Sequence, residues 1–339
     1  MSIERRDFLF ALAGTAASAT LTASAQGGSS GIAVAHPNLS ADPHRPQFHF
    51  LPAGNWMNDP NGPIYWNGNY HMFYQYNPHG AFWGDMHWGH AISTDMVHWK
   101  HLPIALSPTP GSHDSEGCFS GTAVVEDGRV LLLYTGVQSV PYNEATNKDG
   151  ANILRETQCL AVASDPDLKS WSKVSRPVIS DPPRGMSVNG FRDPSPWKQG
   201  DRWYMVLGSG RASHGGAVLL YRSKDLRNWE FMHVLVHQDF DAKGNSSPFD
   251  PWDVWECPEF FALGDRHVLI YSTHGKVYWR TGRLNQDSME FSTEHSGFMD
   301  YGTYYAPKPS WTSLADASFG DGYRRDALLK NTKRLVGRE

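Results

Sequence analysis

The sequence predicts an all-β fold, a β-propeller, on three observations: composition, a long-period repeat, and strand-like alternation inside each unit. The chain of 339 residues holds 13 Trp, 14 Tyr and 16 Phe beside 32 Gly and 22 Pro. Aromatic side chains favour the pleated, half-buried surface of a strand, while Gly and Pro punctuate turns. Most of these aromatics are core residues, and the rest offer flat faces suited to sugar rings. The net charge of −5 gives no reason to expect nucleic acid or an acidic membrane surface as a partner.

The repeat appears in a short motif. Ser93-Thr94-Asp95-Met96-Val97-His98-Trp99 has counterparts in Asp167-Leu168-Lys169-Ser170-Trp171 and in Ser223-Lys224-Asp225-Leu226-Arg227-Asn228-Trp229. Asp and Trp stand four apart in each, and the aspartates follow one another at 72 and 58 residues. A weaker fourth copy lies around Leu284 to Phe291. A period this long holds four short strands and their loops, the content of one propeller blade. Alternating runs at Tyr70–Tyr76, Val130–Tyr134, Trp203–Leu207 and His267–Tyr271 supply strands, with Asn67-Gly68 and Asp127-Gly128 as turns between them.

Three segments carry acids amid Gly, Pro and Trp: Trp56-Met57-Asn58-Asp59-Pro60-Asn61-Gly62, Phe191-Arg192-Asp193-Pro194, and Trp255-Glu256-Cys257-Pro258-Glu259-Phe260. A fourth, Gly117-Cys118-Phe119-Ser120-Gly121, is polar without a carboxylate. With Asp59, Ser120, Asp193 and Glu256 as markers the intervals are 61, 73 and 63, so one marker falls in each unit. Equivalent positions on innermost strands face one axis, which brings these groups to one end of a channel. Most of the 35 acidic residues are surface carboxylates, but three sharing one repeat position point to paired-carboxylate chemistry. Glycoside hydrolysis needs one carboxylate as nucleophile or base and a second, protonated, to assist the leaving oxygen. Crowding separates their pKa values, and Arg192 favours the charged form of its neighbour Asp193.

At these residues the sequence resembles glycoside hydrolase family 32, the family of invertases, inulinases and levanases. The match to W-M-N-D-P-N-G at Trp56–Gly62 is complete. Phe73 to Pro78, His87-Trp88-Gly89-His90, Phe119-Ser120-Gly121, Arg192-Asp193-Pro194, Glu256-Cys257-Pro258 and the segment from Asp300-Tyr301-Gly302 to Tyr305-Ala306 support it. The resemblance implies a five-bladed propeller and a retaining double displacement on sucrose or a fructan. Asp59 would be the nucleophile, Glu256 the acid and then the base, and Asp193 a transition-state stabiliser holding fructose hydroxyls. Asn58, Gln75, Trp83, Phe119, Ser120 and Arg192 would shape the fructose subsite, and Cys257 would belong to the acid/base motif without being a nucleophile. No cofactor or metal is implied. Three other readings share parts of this pattern: a fructosyltransferase using the same intermediate, a non-catalytic fructan-binding protein, and inverting propeller enzymes acting on arabinan or xylan.

The ends of the chain read differently. Residues 1–25, with Arg5-Arg6 before a mildly apolar stretch closing at Ala23-Ser24-Ala25, read as a twin-arginine signal peptide, and 26–44 as a disordered leader. The expectation is export to the periplasm or medium, with no stable membrane insertion after cleavage. Cys118, Cys159 and Cys257 are odd in number and lack a C-x-x-C spacing, so neither a disulfide framework nor a cysteine zinc site is expected. The propeller domain is assigned to 45–307 and a basic tail to 308–339. Units of about 60 to 65 residues from position 50 would carry five blades to about 360. The expectation is therefore an incomplete fifth blade, no C-terminal β-sandwich, and impaired activity, through truncation or, as the alternative, a genuine basic interaction tail.

Overall fold

The computed structural model describes residues 43–46, 49–149, 152–212, 214–237 and 253–309. The expected signal peptide, nearly all of the leader, and the tail beyond 309 lie outside the described residues. Among those residues no helix is long and apolar enough to cross a membrane.

The strands fall into four sheets. The first contains β1 (Trp56–Trp66), β2 (Asn69–Asn77), β3 (His87–Ser93) and β4 (Lys100–Leu106) in sequential antiparallel order. The second contains β5 (Gly117–Glu126), β6 (Arg129–Ser139) and β8 (Asn152–Ala163). The outer edge of β8 pairs with β7 (Asn147–Asp149) at one end and β9 (Trp171–Lys173) at the other. The third is β10 (Val188–Gln199), β11 (Arg202–Arg211), β12 (Gly215–Ser223) and β13 (Trp229–His237), and the fourth β14 (Glu256–Leu263), β15 (Arg266–Thr273), β16 (Lys276–Leu284) and β17 (Phe291–Phe298). Each sheet is one blade, and the first strands pack in succession, β1 on β5, β5 on β10 and β10 on β14.

The described chain thus forms a four-bladed propeller, which corrects the five-bladed, partly incomplete ring expected from the family resemblance and the period. The strands show why. Among the described residues no further sheet opens after Phe298: the Asp300 carboxylate accepts the Gly302 and Tyr304 amides and closes a turn. The Ala306 amide then donates to Ser272 Oγ, tying the segment back to β15.

Alternation places the core between blades. Along β11, Met205 and Leu207 join Leu133 and Leu160 of the second blade, with Phe191 of the neighbouring β10 in the same cluster, while Val206 joins Trp255, Leu269 and Tyr271 on the fourth-blade side. Along β12, Leu219 takes the first side and Val218 and Leu220 the other. A sheet buried on both faces gains from apolar residues at every position, so these central strands read as nearly continuous apolar runs.

The four expected alternating runs lie in β2, β6, β11 and β15, the second strand of each blade. Asn67-Gly68 and Asp127-Gly128 are left-handed at both positions, the conformation a two-residue hairpin demands. The long-period motif is the turn between the last two strands of a blade. In the first, Asp95 Oδ1 accepts the Val97 and His98 amides at 2.9 and 2.8 Å, and Trp99 Nε1 donates to the Met96 carbonyl. Asp225 does the same for Arg227 and Asn228, with Trp229 on Leu226. In the second blade the capping acid is Asp165, two residues before the expected Asp167. In the fourth, Asn285 caps Asp287 and Ser288. Met96, Leu168, Leu226 and Met289 all take positive φ there, at 63°, 58°, 60° and 59°. The cap holds an apolar residue in a conformation it disfavours.

Candidate active site

Every innermost strand breaks its register beside its polar segment, and β1 and β10 break it a second time, between Asn61 and Ile64 and between Asn189 and Phe191. The shared irregularities lie between Met57 and Pro60, Phe119 and Gly121, Arg192 and Ser195, and Glu256 and Glu259. A bulge sets an extra residue against the partner strand, bends the chain and re-aims side chains. Each bulge therefore turns polar groups toward the axis, and X-Pro at Asp59-Pro60, Asp193-Pro194 and Cys257-Pro258 removes an amide that the broken ladder would leave idle. Asp193 and Cys257 take positive φ of 63° and 46°, which fixes them as the pivots.

Hydrogen bonds between blades set the equivalence. Ser120 Oγ donates to Asp59 Oδ2 at 2.7 Å, and the Cys257 amide donates to Asp193 Oδ2 at 2.8 Å. Arg192 pairs with Glu256, 64 residues on, and Ser195 with Glu259 at the same offset. Cys257, not Glu256, is thus the fourth-blade counterpart of Asp193, and Glu256 corresponds to Arg192. The period locates the segment but leaves its register open by one residue.

The W-M-N-D-P-N-G segment is accounted for residue by residue. Trp56 Nε1 donates to Asn58 Oδ1 at 2.8 Å, aiming that side chain. Asn61, wholly buried, accepts the Gly121 amide freed by the neighbouring bulge. Gly62 has φ +44°, and a Cβ there would lie 2.6 Å from the Ala123 amide nitrogen of the next blade. Only glycine allows the two strands to approach this closely.

These groups enclose a cavity of about 280 Å³ at the small end of ligand pockets. All nine residues expected at the site line it: Asp59, Asp193, Glu256, Asn58, Gln75, Trp83, Phe119, Ser120 and Arg192. Gln75 Nε2 donates to the Cys118 carbonyl at 2.9 Å, which holds its carbonyl end free for other donors. Trp83 sits at the rim, 47% exposed, edge-on to Phe119. A groove of about 920 Å³ adjoins the cavity, sharing Arg192 and Glu256 and running past Val188, Asn189, Tyr142 and His274.

The electrostatics separate the carboxylates. Burial pushes Asp193 up to about 7, and Glu256 and Asp59 add to this. Arg192 does favour its charged form, but burial outweighs the expected effect of that guanidinium. Glu256 is also raised, by burial first, against Arg192 and the Tyr305 hydroxyl, which stabilise its charge. Arg192 stays firmly protonated: burial opposes its charge, and Glu156, Glu256 and Asp193 more than offset that. Burial raises the Cys257 thiol well above its usual range. Its Sγ lies 3.5 Å from Asp59 Oδ2, a neutral contact to that carboxylate.

Four contributors were not singled out for this site. Tyr305 lines the cavity and its hydroxyl donates to Glu256 Oε2. Trp56 lines it too. Glu156, fully buried on β8, forms an ion pair with Arg192 Nε at 2.7 Å and accepts the Phe191 amide at 2.6 Å, so it holds the arginine beside Glu256. Thr135 Oγ1 accepts the Asp193 amide at 2.9 Å and donates to Gln158. Tyr305 carried a signal, since it lies in a segment already matched to the family; Glu156 lies in an unpunctuated strand run and carried none.

The sequence profile of the glycosyl hydrolases family 32 N-terminal domain matches residues 49–319. The chain belongs to glycosyl hydrolase family 32. Among similar family members, a sucrose-6-phosphate hydrolase of Escherichia coli is 41% identical over 280 residues, covering 78% of this chain and 54% of the relative. Among solved family 32 structures, a mutant of the Bombyx mori GH32 β-fructofuranosidase in complex with sucrose has a TM-score of 0.63 at 37% identity, covering 77% of this chain and 54% of that one. The fructan 1-exohydrolase IIa of Cichorium intybus in complex with 1-kestose has a TM-score of 0.65 at 34% identity, covering 78% and 51%. The chain spans about half the length of the relatives it matches.

Proposed function

We propose that the chain hydrolyses β-fructofuranosidic bonds of sucrose or a fructan with net retention. The observation that carries this reading is the convergence of Asp59, Asp193 and Glu256 on one small cavity, each from a different blade. Asp59, oriented by Ser120, attacks the anomeric carbon. Glu256, whose pKa is raised, protonates the leaving oxygen and afterwards takes a proton from the incoming water. Asp193 binds fructose hydroxyls as positive charge develops on the ring, and Asn58, Gln75, Phe119, Trp83 and Arg192 fix the sugar's orientation. Substrate complexes of similar family members, one with sucrose and one with 1-kestose, support this substrate class.

The test is fructose release from sucrose, inulin and levan by the purified chain and by Asp59→Ala. Removing a nucleophile costs roughly 10⁴-fold or more in turnover, and azide should restore part of the lost rate by attacking in its place. Substantial activity in Asp59→Ala, or inversion at the anomeric carbon, would exclude the double displacement. Transfer to a second sugar is the alternative outcome of the same intermediate, and the groove beside Glu256 gives an acceptor room. A product profile at high sucrose separates the two.

A further inference from the structure

The loop between β2 and β3 brings Trp83 to the rim of the pocket. Its two ends carry histidines that the proposed chemistry does not use. His79 Nε2 lies 3.0 Å from Asp85 Oδ2, and the His87 ring stands beside the same carboxylate, its Nδ1 4.0 Å from Oδ1. One ligand atom from each of the three lies within 4.8 Å of the others. We propose that His79, Asp85 and His87 bind a divalent transition-metal ion of the zinc type, which clamps the loop that brings Trp83 to the pocket.

The donor set decides the class of ion. Two imidazoles and one carboxylate suit zinc, nickel or copper, whereas magnesium and calcium prefer oxygen alone. Bonds of about 2.0 Å in a tetrahedral site place ligand atoms roughly 3.3 Å apart. The His79–Asp85 separation of 3.0 Å already fits that edge. The remaining closure is within reach, because the side chains of His79 and Asp85 are 65% and 46% exposed and free to move. Three protein ligands leave a fourth position for water.

The surroundings are prepared in the way a ligand histidine requires. His87 Nδ1 lies 2.7 Å from the Asp85 backbone carbonyl and must donate to it, so Nε2 keeps its lone pair. A ligand imidazole is usually fixed by such a bond through its other nitrogen. The loop itself is pinned at several points. Asn77 accepts the His79 amide at 2.8 Å and donates to the Phe82 carbonyl at 2.9 Å, and the Trp56 amide reaches the Gly80 carbonyl at 3.1 Å. Asp85 takes a positive φ of 46°, and its carboxylate lies against both rings. An ion bridging residues 79 and 87 would close the loop covalently at both ends, and Trp83 would lose most of its freedom.

The test uses the untagged, chelator-treated chain in equilibrium dialysis against Zn²⁺, with Mg²⁺ as control. The expected result is one Zn²⁺ bound per chain, a rise in thermal midpoint with Zn²⁺, and no effect of Mg²⁺. His79→Ala and Asp85→Asn, both at exposed positions, should each weaken binding by more than about tenfold while melting normally without metal. Absence of Zn²⁺ binding, or equal binding by these variants, would overturn the site. Dialysis reads no catalysis, so its result stands apart from the fructose-release test. Where that reaction is active, Zn²⁺ should alter KM in the unsubstituted chain and leave His79→Ala unaffected.

Discussion

At the scale of the residue, the site works by opposing influences on neighbouring acids. Tyr305 donates to Glu256 and favours its charged form. Tyr305→Phe removes that donor, so the Glu256 pKa rises and the acid stays protonated to higher pH. The basic limb of the kcat/KM profile should move up by about 0.5–1 pH unit, read from initial rates across pH. Asp193 makes the opposite case for stability. Its folded pKa of about 7 lies above the ordinary 3.8, so between these values the folded chain holds a proton that the unfolded chain has lost. Stability from this group therefore rises as pH falls through 7, and above 7 the buried charge is a net cost. Asp193→Asn should abolish activity yet stabilise the fold, its gain growing by on the order of 2–3 kcal/mol between pH 5 and pH 8. Urea midpoints at the two pH values test this; a constant difference would refute it. Most of the pocket residues were legible in the sequence because they sit in or beside a bulge, and bulges carry Gly, Pro and Trp in dense, unusual runs; Gln75 on β2 and Trp83 in the following loop were legible only through the family resemblance. Glu156 was not, because burial and partners make it what it is, and neither is written locally. Glu256 was placed one residue out of register because spacing alone does not say where the ladder slips.

At the scale of the element, the repeated turn is the part of the fold most plainly written in the sequence. An acid or amide before an apolar residue, followed by an indole that donates back, is a local hydrogen-bonding unit, and local units leave local signatures. The second blade shows the limit: Asp167 was read as the aspartate of the repeat, but the insertion of two residues makes Asp165 the acid that caps the turn. Asp225→Ala leaves the Arg227 and Asn228 amides without their acceptor and Leu226 in an unsupported positive φ. The loss should be about 1–2 kcal/mol in urea denaturation, with kcat unchanged. A change in kcat would mean that this distant turn communicates with the pocket.

At the scale of the whole molecule, the number of blades was the least legible feature. A period tells how long a unit is, while a count depends on where strands stop pairing, and the chain from 299 to 309 folds back instead. Lys308, assigned from sequence to the start of a basic tail, is 2% exposed and pairs with Glu259 of β14, which also accepts Ser195 Oγ of β10. One ion pair thus joins the returning segment to two blades. Lys308→Met leaves the buried Glu259 carboxylate without a counter-charge, with Ser195 as its remaining hydrogen-bond donor, and should cost about 3–5 kcal/mol, whereas Lys308→Met with Glu259→Leu should recover most of it. A double variant as unstable as the single one would show that lost packing, and not the stranded charge, is responsible.

The bulges that carry the carboxylates are also where the blades grip one another. Asp59 is held by Ser120 of the next blade, and Asp193 by the backbone of the blade after it. A blade folds from neighbouring strands, but its share of the pocket has no meaning until the adjacent blade has docked. On the proposed hydrolase function, activity therefore depends on docked neighbouring blades, and parting any one pair should abolish it while the separate sheets persist.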